Sequence, residues 1–145
     1  MKKTPAFWDS SALVPLCTNQ ATSHQAQVCY RRFSVVVWWS TVVEVRSAIS
    51  RLRRNQEITD RDQQGADARL RLIGSGWREV IPDDKLRDLA LEALDKHSLS
   101  AADALQLAAA LTWCGQRPSR RTVITADQRL AEAARSAGFS VLVFP

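Results

Sequence analysis

The run Val35-Val36-Val37-Trp38 is apolar at every position and β-branched along its valines. A strand with one wet face alternates apolar and polar residues. A strand buried on both faces reads continuously, as in a parallel sheet covered by helices on either side. Ser40, a good helix cap, follows almost at once, and Val42, Val45, Ala48, Ile49 and Leu52 then recur at helical spacing to about Arg54. A buried strand feeding an amphipathic helix is the building unit of an α/β fold.

The same alternation runs along the chain. Pro5 to Trp8 reads as a first strand, followed by a helix through Leu16 that Ser10 or Ser11 can cap and Pro15 perturbs. A second helix covers about Ser23 to Phe33. After the turn from Asn55 to Thr59, another helix starts near Asp60 and stops at Gly74-Ser75-Gly76, a helix terminator with neither the preceding strand nor the following lysine of a phosphate loop. Trp77 to Ile81 is a weak strand ended by Pro82, and Asp83 and Asp84 open a helix to about Lys96. Ser100 to Cys114 is a nearly all-apolar helix closed by Gly115. Thr122 to Thr125 is a strand, Asp127 to Ser136 a helix ending at Gly138, and Val141 to Phe144 a last strand. This order predicts one parallel α/β sheet in a single domain over residues 1–145, with its functional crevice at the carboxyl ends of the strands.

Four carboxylates fall where such a crevice would be: Asp9, Glu44, Asp103 and Asp127. Each follows a strand-like run or opens a helix, and each has an ordinary explanation. Asp9 is a possible N-cap, although Ser10 and Ser11 serve as well without added charge. Glu44 is a possible member of a helical ion pair, but Ser40, Ser47 and Ala48 hold the partner positions and the nearest base on that flank is Arg51. Asp103 is the only charged residue between Ser98 and Gln116, on a helix whose composition calls for burial. A capping box with Ser100 would account for it, but aspartate reaches back poorly for that role. Asp127 is explained well enough as the N-cap of the last helix. An acid cluster without matching bases is unstable unless a divalent cation fills it.

Charge carries the argument further. The 145-residue chain has 20 lysines and arginines against 15 acids, and setting the four aside leaves 20 bases against 11 acids. A negative pocket on a basic body suits a polyanionic substrate. Cys17, Cys29 and Cys114 are odd in number and lack metal-ligand spacing, so small buried hydrophobes are expected, Cys29 and Cys114 within helices. The start Met1-Lys2-Lys3 resembles a signal-peptide n-region, but Asp9 and Pro15 interrupt the apolar stretch behind it. No run approaches membrane-spanning length, so a reducing cytoplasm and no membrane are expected. His24 and His97 sit in a helix and a helix-end turn, away from any metal-ligand spacing. Most of the five tryptophans adjoin buried patterns and are expected in the core.

The chain resembles the PIN-domain ribonucleases, and within them the VapC-type toxins of bacterial toxin–antitoxin pairs. The resemblance rests on Phe7-Trp8-Asp9-Ser10-Ser11-Ala12-Leu13-Val14, on Ser40-Thr41-Val42-Val43-Glu44-Val45-Arg46-Ser47-Ala48, on Leu99-Ser100-Ala101-Ala102-Asp103-Ala104-Leu105-Gln106-Leu107-Ala108, and on Thr125-Ala126-Asp127-Gln128-Arg129-Leu130 ahead of Gly138-Phe139. It covers essentially the whole chain, with the blocks in the family's order. It implies a three-layer α/β/α sandwich around a parallel, mostly five-stranded sheet. It also implies Mg²⁺, or Mn²⁺, held by Asp9 and Asp103 directly, with Glu44 and Asp127 completing the catalytic set. Ser10 is implied as a polar neighbour and Thr125 as a supporting hydroxyl. The implied reaction is endonucleolytic hydrolysis of RNA by in-line attack on phosphorus, leaving a 5′-phosphate and a 3′-hydroxyl. The implied partners are a small cognate antitoxin and a second copy of the chain in a homodimer.

RNA would meet arginines around the mouth, Arg46 and Arg51 first among them, with Arg53, Arg54 and the Arg117-Arg120-Arg121 cluster beyond. Two alternatives keep the fold: an RNA-processing nuclease with no toxin role, and a non-catalytic binding module, which the presence of all four acids disfavours. An aspartyl phosphatase needs a second aspartate where Ser11 stands. A receiver domain needs paired acids near the first strand and a lysine late in the chain, and neither is present.

Overall fold

The computed structural model describes residues 2–145, so the first residue of the basic start lies outside the described residues. The strands are β1 (Thr4–Trp8), β2 (Phe33–Trp38), β3 (Arg78–Val80), β4 (Thr122–Thr125) and β5 (Ser140–Val143). Between them come α1 (Ser10–Cys17) and α2 (Ser23–Arg32), then α3 (Thr41–Arg54) and α4 (Asp60–Gly74), then α5 (Asp84–Lys96) and α6 (Ala101–Trp113), and finally α7 (Gln128–Ala137). All strand pairs are parallel, in the order β3-β2-β1-β4-β5.

Alternation of side chains across each strand explains the three layers. Phe7, Val36, Trp38 and Val123 face α5, α6 and α7, where they meet Leu86, Ala90, Leu107, Ala108 and Leu130. Ala6, Trp8, Val35, Val37 and Ile124 face the other way, against Leu13 of α1, Ala26 of α2, Val45 and Ile49 of α3, and Leu70 of α4. The apolar run of β2 thus feeds two separate cores, which is why it shows no alternation.

The chain moves outward from β1 to β2 and β3, then returns to lay β4 on the other side of β1. The reversal falls between β1 and β4, and at such a point the loops leaving neighbouring strands part to form a crevice. Asp9 and Asp127 follow these two strands.

Local signals set the ends of several elements. Asp83 caps α5 through the Leu86 N–H at 2.7 Å, and Thr59 and Asp62 close a capping box on α4. Gly138 ends α7 at φ +113°, where a Cβ would also come within 3.0 Å of Pro118.

Three expectations need correction. Val42 is exposed, because α3 turns Val45 and Ile49 inward and leaves Val42 and Val43 toward solvent. Trp8 and Trp38 are in the core, but Trp39 is 53% exposed, and Trp77 and Trp113 are half-buried. Trp39 extends the ladder past β2 by donating its N–H to Val80 at 2.9 Å, which leaves its ring outside. Cys17 and Cys114 are buried as expected, whereas Cys29 is only half-buried. Among the described residues, no helix is long and apolar enough to cross a membrane.

Candidate functional site

Asp9 is 3% exposed, one residue past the end of β1, and its backbone N–H donates to Ile124 at 3.0 Å. Its carboxylate accepts from Ser11 Oγ at 2.5 Å and from Thr125 Oγ1 at 2.8 Å, both on Oδ2. Oδ1 faces Ser10 Oγ at 3.4 Å. Burial raises the Asp9 pKa above its ordinary value. The two hydroxyls oppose that shift, and Glu44 and Asp127 reinforce it.

The expected cap of α1 takes a different form. Asp9 occupies the N-cap position and makes no side-chain cap bond, and neither serine caps in its place. Ser11 Oγ instead donates to Asp9, lies 3.2 Å from Thr125 Oγ1, and accepts the Ala126 N–H at 2.9 Å. One hydroxyl therefore ties the end of β1 to the end of β4. Ser40 behaves likewise. It sits at the N-cap of α3 without capping it, and its Oγ donates to Glu44 Oε2 at 2.7 Å.

Glu44 is held by three donors from separate parts of the fold. Beside Ser40, Ser10 Oγ donates to Oε1 at 3.0 Å and Gln106 Nε2 donates to the same oxygen at 3.1 Å. Ser10 thus lies between Asp9 and Glu44, and Gln106 joins α3 to α6.

Asp127 does cap α7, accepting the Leu130 N–H at 3.1 Å, while its own N–H donates to Thr125 Oγ1 at 3.0 Å. Asp103 shows only half of the capping box: Ser100 Oγ accepts its N–H at 3.2 Å, with no return bond from the Asp103 carboxylate. Its carboxyl pKa is pushed up to about 6, first by burial and then by the charges of Asp127 and Asp9.

The four carboxylates therefore act on one another electrostatically, and no lysine or arginine is paired with any of them among the described residues. Nor, among those residues, do any three acids, histidines or cysteines stand together as a group that could hold a metal ion. The donor chemistry nonetheless fits a hard divalent cation: the four side chains offer oxygens only, and no base among the described residues relieves their mutual repulsion.

A cleft of about 440 Å³ opens beside Glu44, lined by Ser10, Ser11, Ser47, Ala48 and Arg51 with two valines. Arg51 lies on this cleft. Arg46 points to the other flank of α3, where Nε pairs with Asp67 of α4 at 3.0 Å. Of the two arginines, Arg51 is the one that shares a cleft with Glu44.

Two polar residues at the centre, Ser11 and Gln106, were not among the candidates. Ser11 was visible only as an alternative cap. Gln106 had one signal: with Asp103, it is one of the two polar side chains between Ala101 and Leu111.

A parallel sheet with acids gathered at its switch point defines an α/β domain of the acidic-centre type. The profile of the PIN domain matches residues 6–136, and the chain belongs to the PIN-domain family. Among solved structures, VapC20 of Mycobacterium tuberculosis, a sarcin–ricin loop cleaving toxin, superposes with a TM-score of 0.66 at 18% identity, covering 88% of this chain and 94% of that one. A toxin–antitoxin complex from Klebsiella pneumoniae superposes with a TM-score of 0.64 at 16% identity, over 87% and 90% of the two chains. VapBC2 of Rickettsia felis gives 0.65 at 10% identity, over 98% and 100%. At these identities the likeness establishes the fold. No curated protein matches the chain in sequence.

Proposed function

We propose that this protein is a divalent-cation-dependent endoribonuclease and the toxin of a toxin–antitoxin pair. The observation that carries the reading is the buried Asp9 carboxylate at the β1–β4 switch point, with Asp127 and Glu44 tied into the same hydroxyl web and no base among the described residues to neutralise them. Membership of the PIN family, whose nucleases are hydrolases, and a fold shared with toxin–antitoxin proteins support the same reading.

Asp9 and Asp103 would hold Mg²⁺ or Mn²⁺ directly, with Glu44 and Asp127 completing the site. Such an ion, when bound, offsets charge on a scissile phosphate and acidifies a water. The chain's own residues supply the geometry. Ser11 and Thr125 fix Asp9, Ser10 and Ser40 aim Glu44, and the α7 N-terminus holds Asp127 on the crevice. Arg51 lines the cleft, and its guanidinium would meet the RNA backbone there. A small antitoxin covering this cleft would silence the enzyme, and a homodimer would set two such clefts in one particle. A reducing cytoplasm suits a chain with three free thiols, two of them buried.

Induction of the protein and of Asp9→Asn/Asp103→Asn tests the reading in cells and in vitro together. The wild type is expected to arrest growth and to cleave structured RNA only with Mg²⁺ or Mn²⁺ present, and the double variant to do neither. Cleavage without growth arrest would identify an RNA-processing nuclease. Growth arrest without cleavage would identify a binding module.

A further inference from the structure

Gln106 is 1% exposed and lies on α6, one turn beyond Asp103. Its amide nitrogen donates to Glu44 Oε1 at 3.1 Å and to Thr41 Oγ1 at 3.1 Å, so both amide hydrogens are used. Its carbonyl oxygen is buried with no partner. Reversing the amide would not help, because it would set that oxygen against the Glu44 carboxylate. The side chain therefore bears a desolvation penalty that a methionine of similar volume at the same place would avoid. Core packing does not explain a glutamine here. What the amide does is hold Glu44.

The other donors to Glu44 are Ser10, at the start of α1, and Ser40, just ahead of α3. Gln106 alone reaches Glu44 from the helix that carries Asp103. It also bonds Thr41, which is fully buried at the start of α3. One amide thus fixes the aim of one acid and the spacing between the helices bearing two of them.

We propose that Gln106 is a positioning residue of the acidic centre, which orients the Glu44 carboxylate and locks α3 to α6 so that Glu44 and Asp103 face the same ion. The inference rests on the nuclease reading above. Second-sphere partners of metal-binding carboxylates commonly govern affinity and turnover without touching the ion.

The test uses Q106M and T41V/Q106M in the full chain. The double variant removes the Thr41 hydroxyl that the single change would leave unpartnered. Three readouts are taken: Mn²⁺ binding followed by electron paramagnetic resonance with the metal alone, kcat and KM on an RNA stem–loop, and the melting temperature in EDTA. Mn²⁺ affinity is expected to fall about 10- to 100-fold in both variants. The kcat is expected to fall with it while KM shifts by less than about twofold. T41V/Q106M is expected to melt no lower than the wild type. Mn²⁺ affinity equal to wild type in either folded variant would overturn the inference. So would a loss of affinity seen only in a variant that melts lower. A wild type that binds no Mn²⁺ would overturn the nuclease reading and this inference with it, whereas unchanged binding in the variants overturns this inference alone.

Discussion

Thr125 donates its hydroxyl to Asp9 across the β1–β4 junction, Oγ1 to Oδ2 at 2.8 Å, and the same oxygen accepts the Asp127 N–H at 3.0 Å. Asp9 and Asp127 are 118 positions apart in the chain, yet a single hydroxyl holds both. Thr125 itself is fully buried, so water cannot substitute for it.

Thr125→Val keeps the shape of the side chain and removes the hydroxyl. The Asp127 N–H loses its acceptor and Asp9 loses a donor, which is expected to lower stability by about 1–3 kcal/mol in urea melts. Cleavage is expected to fall more than tenfold, about what second-sphere losses cost. Full activity in a folded Thr125→Val protein would contradict a supporting role for this hydroxyl.

Asp127 caps α7, and substitution separates that task from the role in the acidic centre that is proposed for it. Asparagine and serine cap helices as well as aspartate does, whereas alanine does not, and the loss of a cap costs about 1 kcal/mol. Asp127→Asn is expected to retain its melting temperature and lose cleavage. Asp127→Ala is expected to lose both. An active Asp127→Asn protein would leave this residue as a cap only.

The pH dependence of stability without metal follows from Asp103. Its folded pKa of about 6 lies above the ordinary 3.8, so between these values the native state holds more protons than the unfolded state. Stability then falls as pH rises from about 4 to about 6 and levels off above. Asp9 is shifted in the same direction. In EDTA, Asp103→Asn is expected to be more stable than wild type at pH 7.5, the advantage shrinking toward pH 4. Parallel stability curves for the two proteins would contradict the repulsion inferred here.

Arg51 and Arg46 are expected to differ. Arg51→Gln is expected to weaken RNA binding and to lower the salt slope of the binding constant by about one phosphate contact. Arg46→Gln breaks a pair in which the Asp67 oxygen is buried, so it is expected to lower stability and to leave RNA binding unchanged. Equal losses in a filter-binding series would place the substrate on both flanks of α3.

The parts of this fold that were legible in the sequence are those set by continuous burial and by chain order. The Val35–Trp38 run needs two covering layers, and the strand–helix alternation needs parallel crossovers. Those two facts bring Asp9 and Asp127 to one edge whatever the details of packing. The details were not legible. Ser40 stands at the N-cap of α3 and Ser10 and Ser11 open α1 behind Asp9, and all three turn toward carboxylates. That is a rotamer choice, settled only when Asp9 and Glu44 arrive from elsewhere in the chain. The exposure of Val42 and Trp39 depends on how α3 rolls against α4 and on where the β2–β3 ladder ends. Gln106 looked like one polar interruption of an alanine-rich helix, and its meaning came from Glu44, 62 residues away.

The most direct measurement is the Mg²⁺ dependence of RNA cleavage by purified protein, with the product ends determined, for wild type and Asp9→Asn side by side. The wild type is expected to be silent in EDTA, to regain cleavage as Mg²⁺ is added back, and to leave 5′-phosphate ends, while Asp9→Asn stays inactive at every Mg²⁺ concentration. Cleavage by wild type in EDTA, or undiminished cleavage by Asp9→Asn, would contradict the assignment of this acidic centre as a metal-dependent nuclease site.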